Sequence, residues 1–194
     1  MYIVINGGGK VASSLAGILV EKGHTVAVIE KRLEVAEKLA AELNGRGLII
    51  CGDGCDCQYQ DEAGVGRADV FVAATGDDDD NLVSAQLAKT GFEVPRAISR
   101  VNNPKNQRIF DVLGIEAISS TAIISRMIEA ETTVGDLHTL KVLHKGNLVL
   151  ADIEIETGSP VEGKMVGDIK LPADCKMVAI IHAEGDDVEL AVPG

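Results

Sequence analysis

Residues 2–30 read YIVINGGGKVASSLAGILVEKGHTVAVIE, and this stretch decides the fold. YIVIN (2–6) and TVAVIE (25–30) are short apolar runs rich in β-branched residues, the composition of strands covered on both faces. Residues 10–22 between them have helical length, with Val11, Leu15, Ile18 and Leu19 expected to form one apolar stripe. At the junction, GGGKVA (7–12) fits G-x-G-x-x-G/A with Gly7, Gly9 and Ala12. In that pattern the first glycine allows a tight turn, the second lets backbone approach a pyrophosphate, and the small third residue keeps helix against strand. The helix N-terminus adds N–H donors and a positive dipole end.

The glycine pattern alone is weak, and its context supplies the rest: a strand before, a helix after, and Glu30 closing the second strand. An acid there accepts hydrogen bonds from ribose hydroxyls and repels a 2′-phosphate, so NAD or an adenosine nucleotide is favoured over NADP. Lys31 and Arg32 beside Glu30 soften that exclusion without cancelling it. Lys10 lies inside the loop, where a cation at a helix N-terminus is unfavourable unless an anion is near. Its ammonium is therefore read as a phosphate contact, against the alternative of a solvated first-turn lysine.

The same alternation continues down the chain. GLIIC (47–51), DVFVAA (69–74), RAISRV (96–101) and EAIS (116–119) are further strands, separated by helical segments at 32–43, 56–64, 78–90 and 104–113. Val35, Leu39 and Leu43 repeat at helical spacing in the second of the helices. Strand–helix alternation at this spacing gives right-handed βαβ units and a parallel sheet. The expected fold is α/β: a Rossmann-type, doubly wound parallel six-stranded sheet over residues 1–120. A crossover helix follows at 121–134, with Ser119, Ser120 and Thr121 as capping candidates. After Gly135 the texture changes to a small β-rich α+β lobe, 135–194. Its LHTLKVLHKGNLVLADIEIE reads as a hairpin around Lys145-Gly146-Asn147, and strands follow at 175–182 and in VELAV. The lobe ends at Pro193-Gly194 just after a strand, so it is either compact or cut short.

Composition narrows the function. The net charge of −12 repels a phosphate backbone and anionic lipid alike, and with 3% aromatics there is no stacking platform for single strands. Nucleic acid is excluded as a partner, and any bound anion must be held by local geometry. No apolar run reaches the ~18 residues of a membrane span, and no signal peptide opens the chain. With only four cysteines, a reducing cytoplasm is the expected setting.

Enzyme constellations are poor: the four histidines are scattered, and neither HExxH nor GxSxG occurs. ATGDDDDN (74–81) follows the fourth strand. Its aspartates are read as a helix cap and first turn in preference to a cation site. Ala74, Thr75 and Gly76 at the strand's carboxyl end are placed to line a ligand crevice. Arg100, at the end of the fifth strand, points at the same crevice or makes a salt bridge; both readings stand. CGDGCDC (51–57) lacks a standard zinc spacing, so neither a metal nor a redox role is favoured. No metal site is expected.

With these residues in view, the chain resembles the TrkA/KtrA potassium-transport regulators and the RCK domains of potassium channels. The resemblance rests on GGGKVA, GHTVAVIE (23–30), GDGCD (52–56), ATGDDDDN, SRVNNP (99–104) and LGIEAIS (113–119), in order. GSPVEGK (158–164) resembles a turn of the TrkA C-terminal module. The resemblance implies a nucleotide sensor, not an enzyme, that binds NAD(H) or ATP/ADP. It implies dimers within tetrameric or octameric rings that gate an integral-membrane potassium subunit of the TrkH/KtrB type, from the cytoplasmic face. Carried over, Gly7, Gly8, Gly9, Lys10 and Val11 take the phosphates, and Glu30, with Lys31 beside it, the ribose. Gly52 and Asp53 take the adenine side, Ala74, Thr75 and Gly76 form the crevice wall, and Arg100 meets the phosphate or a neighbouring subunit. Lys10 stands where the family carries arginine, which loses the bidentate fork. The competing class is a small NAD-dependent oxidoreductase, which needs a substrate domain and a proton donor.

Overall fold

The computed structural model describes residues 1–133, 137–143, 148–153, 155–181 and 188–191. Its centre is a six-stranded parallel sheet built from β1 (Tyr2–Asn6), β2 (Thr25–Glu30), β3 (Leu48–Cys51), β4 (Val70–Ala73), β5 (Ala97–Val101) and β6 (Glu116–Ser119). The strand order is β3-β2-β1-β4-β5-β6, and every neighbouring pair is parallel. This is the doubly wound Rossmann arrangement, whose order reverses between β1 and β4. The expected sheet is present, with β3, β4 and β5 each starting one residue later than the apolar run.

Five helices connect the strands: α1 (Lys10–Glu21), α2 (Leu33–Leu43), α3 (Cys57–Glu62), α4 (Asp78–Thr90) and α5 (Gln107–Val112). A short 3₁₀ turn at Pro104–Asn106 takes up the start of the segment expected as α-helix at 104–113, and another, Val65–Arg67, lies just past the one expected at 56–64. The two faces of the sheet carry separate cores. Ile3, Ile5, Val26, Val28, Val70 and Val72 pack against Ala12, Ala16, Leu39 and Leu43 of α1 and α2. Val4, Ala27, Ile29, Phe71 and Ala73 pack on the other side with Ala85, Ala88, Phe110 and Ile115. Successive residues of a strand point to opposite faces, so both sets are apolar and the strands read as unbroken runs. Burying a side chain such as Phe71 or Ile5 contributes about 1.5–3 kcal/mol.

The apolar stripe of α1 is rotated from the expected one. Val11 and Ile18 are each 47% exposed, while Ala12 and Ala16 are fully buried, with Leu15 and Leu19 packed beside them. Small side chains bring the helix close to β1, and Val11 and Ile18 are turned outward.

α6 (Ser120–Thr133) follows β6 directly, and the Ala122 N–H donates to Ser119 Oγ at 3.3 Å. Beyond it, β7 (Leu137–Leu143) and β8 (Leu148–Ile153) pair antiparallel, as the alternating pattern predicts. β9 (Ala179–Ile181) and β10 (Val188–Leu190) form a second antiparallel pair. β9 is shorter than the expected strand at 175–182. The expected turn at 145–147, two of the four histidines, His144 and His182, and Pro193-Gly194 lie outside the described residues. No helix among the described residues is long and apolar enough to cross a membrane.

Candidate functional site

The carboxyl ends of β1 and β4 diverge at the switch point of the sheet, and a crevice of about 390 Å³ opens there. That volume lies within the range of small-ligand pockets. Gly7, just past β1, forms its floor: the Gly7 N–H donates to Ile29 O at 2.7 Å. Its φ of +107° suits glycine, and a Cβ there would lie 3.1 Å from Thr75 N and 3.2 Å from Ala74 O. Gly9 caps α1 without any side-chain hydrogen bond. The first N–H groups of that helix therefore have no intrahelical partner and face the crevice end of α1. A Cβ on Gly9 would meet nothing within 4 Å, so that side of the loop faces open space.

Glu30, the last residue of β2, is 3% exposed. Its Oε2 accepts the Gly8 N–H at 2.6 Å and Arg32 Nη2 at 2.9 Å, and its Oε1 accepts the Arg32 N–H and Nε, both at 2.8 Å. Burial pushes the carboxyl pKa up, but the Arg32 side chain and the two backbone N–H groups outweigh it and hold Glu30 below the usual carboxylate range. Lys31 reaches across to Asp80 of α4, Nζ to Oδ2, at 2.9 Å. That hydrogen bond, with the charges of Asp80, Asp53 and Asp77, raises the lysine pKa.

Gly52, Asp53 and Gly54 line the far side of the crevice. A Cβ on Gly54 would run into the Asn6 carboxamide, so only glycine lets this loop close on β1. Asp53 Oδ1 accepts the Cys55 N–H at 2.9 Å. Cys55 donates its thiol to Asp80 O at 3.4 Å. Burial first, then the Asp53 and Asp80 charges, push its pKa up to about 11. Cys51 and Cys57 are exposed, and no metal-holding group of His, Cys, Asp or Glu occurs among the described residues.

Ala74, Thr75 and Gly76 form the wall after β4, and Asn81 of α4 fixes it. Asn81 is fully buried. Its Oδ1 accepts from Thr75 N and Thr75 Oγ1, both at 2.8 Å. Its Nδ2 donates to Arg100 O at 3.0 Å and Thr75 O at 3.3 Å. Asp78 binds the next loop instead: its carboxylate accepts from Asn102 N at 2.6 Å, Asn102 Nδ2 at 2.9 Å, Asn103 N at 3.0 Å and Asn106 Nδ2 at 2.8 Å. Burial raises its pKa, and these four donors more than reverse the shift. Asp77 is the cap, accepting from Asp79 N at 3.4 Å. Arg100 lines the crevice, and its Nε is buried with no hydrogen-bond partner. It makes no ion pair among the described residues.

The crevice thus gathers Gly7, Gly9, Glu30, Lys31, Gly52, Asp53, Ala74, Thr75, Gly76 and Arg100 of the expected set. Gly8, Lys10 and Val11 are not in its lining: Gly8 turns its N–H to Glu30, while Lys10 and Val11 are exposed on the first turn of α1. Asn6, Arg32, Gly54, Asp77 and Asp80 also line it. Asp78 and Asn81, which hold its walls, carry a sequence signal, the spaced Asp and Asn of ATGDDDDN.

The family model described as the TrkA-N domain matches residues 3–121, which take in all six strands but for Tyr2, and every residue of the crevice lining. The chain belongs to the TrkA-N family. This TrkA-N chain is 39% identical over 187 residues to a Trk system potassium uptake protein TrkA homolog of Methanothermobacter thermautotrophicus, covering 96% of this chain and 84% of that protein. It is 36% identical to the Trk system potassium uptake protein TrkA of Mycobacterium tuberculosis, covering 94% and 82%. Its fold matches the GsuK channel bound to NAD with a TM-score of 0.62 at 22% identity, over 77% of this chain and 27% of the channel chain. It matches the same channel bound to ADP with a TM-score of 0.59 at 19% identity, over 68% and 34%.

Proposed function

We propose that the protein is a nucleotide-sensing regulatory subunit of a potassium uptake or channel system. The observation that carries this reading is the switch-point crevice, with its glycine loop and buried acid, in a chain whose relatives over nearly its full length are Trk potassium uptake proteins. The ligand is NAD(H) or ATP/ADP. Its phosphates lie along the Gly7–Val11 loop, taken by the α1 N–H groups, with Lys10 as a tethered charge above them. Glu30, with Lys31 beside it, takes the ribose, Gly52 and Asp53 flank the adenine side, and Ala74, Thr75 and Gly76 form the wall. Arg100, whose Nε has no partner, takes a phosphate. The names of the relatives favour regulation over hydride transfer, so no catalytic residue is assigned.

Residues 1–120 form the sensing domain, 121–134 the crossover helix and 135–194 a second lobe. Exposed Ile109, Val112, Ile118 and Ile124 give the α5–α6 side an apolar surface suited to a second copy, in dimers that build a tetrameric or octameric ring. The ring acts in the cytoplasm on a membrane potassium subunit of the TrkH/KtrB type. Nucleotides of different charge and length favour different crevice geometries, and so shift the population of ring states. The test has two steps. Mass spectrometry identifies the nucleotide that co-purifies, and small-angle scattering follows the purified chain titrated with ATP, ADP, NAD⁺ and NADH. Ligand-dependent profiles are expected. Bound nucleotide with identical profiles for all four ligands overturns the gating reading, and failure of every ligand to bind overturns the sensor.

A further inference from the structure

Glu30 is where adenosine nucleotides are told apart in folds of this kind: a free acid accepts the ribose diol and repels a 2′-phosphate. In this structure the acid is not free. A carboxylate has about four acceptor sites, and Glu30 meets four donors: Gly8 N, Arg32 N, Arg32 Nε and Arg32 Nη2, all within 2.9 Å. Two of them are backbone N–H groups of the turn and stay where they are. The other two belong to a guanidinium whose side chain is 59% exposed, against 3% for its partner. Arg32 therefore holds the acid by a detachable fork. It is the N-cap residue of α2, in extended conformation. Residues two apart in extended chain project to the same side, so Arg32 stays beside Glu30, and both line the crevice. A guanidinium has five N–H donors, and those on Nε and Nη2 reach Glu30, which leaves further donors for an anion.

We propose that Arg32 is an exchangeable partner of Glu30 that lets the crevice accept adenosine nucleotides with or without a 2′-phosphate. A free 2′,3′-diol displaces the guanidinium and donates to the Glu30 carboxylate. A 2′-phosphate leaves the pair intact and binds the outward N–H groups of the same guanidinium, while the pair hides the acid's charge from it. Acid and arginine act as one two-position element, and the acid alone does not set the preference. This deepens the nucleotide reading above and rests on it.

Titration calorimetry of the full chain with NADH and NADPH, and with AMP and adenosine 2′,5′-bisphosphate, separates the two claims. The wild-type protein is expected to bind the members of each pair within about tenfold of one another. Arg32→Ala should weaken the 2′-phosphorylated member at least tenfold and leave the plain nucleotide as tight or tighter, because the carboxylate is released for the diol. Arg32→Lys keeps the charge without the fork and should fall between. Melting curves of both variants control for folding, because Arg32→Ala removes the cation that faces a buried carboxylate. An Arg32→Ala protein that weakens both members equally overturns the exchange, as does a wild-type preference of more than a hundredfold for the plain nucleotide. If the wild type binds neither member of either pair, the nucleotide reading itself falls with it.

Discussion

Asp78 makes a quantitative claim about how the crevice is held together. Its carboxylate accepts four hydrogen bonds from three residues of the β5–α5 connection, two of them from the backbone N–H groups of Asn102 and Asn103. In Asp78→Ala the side-chain amides of Asn102 and Asn106 can turn to water, but the two backbone donors cannot move without moving the loop. A hydrogen bond to a charged acceptor contributes about 1.5–3 kcal/mol when buried. The Asn103 N–H is exposed, so the variant should lose about 2–3 kcal/mol in total rather than the sum of four full bonds. For a chain of this length each kcal/mol shifts the melting temperature by roughly 2–4 °C, so the expected drop is about 4–12 °C. Asp78→Asn keeps one acceptor oxygen and should lose about half as much. Asp79→Ala, an exposed first-turn acid on the same helix, should lose only about 0.3–1 kcal/mol. Thermal melts by circular dichroism read the three variants together, and amide exchange reads Asn102 and Asn103 directly. A Tm for Asp78→Ala within 2 °C of wild type, or an equal loss in Asp79→Ala, would refute the idea that this one carboxylate ties the loop to α4.

Gly7→Ala places a side chain at φ +107° with its Cβ 3.1 Å from Thr75 N. A loss of about 1–3 kcal/mol in stability follows, together with at least a tenfold loss of nucleotide affinity. Denaturant melts and calorimetry check the two effects separately. With its pKa near 11, Cys55 is about one part in a thousand thiolate at pH 8. Iodoacetamide followed by peptide mapping should therefore modify the exposed Cys51, Cys57 and Cys175 well before Cys55; Cys55 labelling first would contradict its placement. Glu30 and Asp78 both have folded-state pKa values below their ordinary ones. Their contribution is present above the unfolded values of about 4.3 and 3.9 and is lost as pH falls through the lower folded values. Urea melts should show stability level above about pH 5 and declining below about pH 4, with a shallower decline in Glu30→Gln and Asp78→Asn.

The sheet was legible because its inner strands are covered on both faces, and no other element produces unbroken runs such as Val26–Ile29 or Val70–Ala73 at this spacing. The phase of α1 was not. Leu15 and Leu19 fit either of two adjacent faces, and periodicity chose the one with the larger side chains, Val11 and Ile18. The turn at Gly7 sets the helix so close to β1 that Ala12 and Ala16 fit against the sheet. That choice is made by interatomic distance, and hydrophobicity does not record it. The same limit applied to Glu30. Its acidity and its place at the end of β2 are written in the sequence, and so is an arginine two residues on, at the start of the segment expected as helix. That the arginine closes on the acid, and does not turn to water, depends on the backbone angles of the residue that caps α2.

The charge of the whole chain raised a question that side-chain partners answer. A protein of net charge −12 with Glu30, Asp53, Asp77 and Asp80 around its crevice is a poor host for a polyphosphate if those acids face the ligand. Each of them is already engaged: Glu30 with Arg32, Asp80 with Lys31, Asp53 with the Cys55 N–H and Asp77 with the Asp79 N–H. The acids brace the walls. The groups without such a partner are the leading N–H groups of α1, which has no side-chain cap, and Arg100 Nε. Backbone donors at a helix start need no positive field to hold a phosphate, so an acidic surface and an anion site can share one crevice. It follows that removing one bracing cation, by Lys31→Ala, should weaken a triphosphate more than a monophosphate. The freed Asp80 carboxylate repels in proportion to ligand charge, and this difference should shrink as salt screens it.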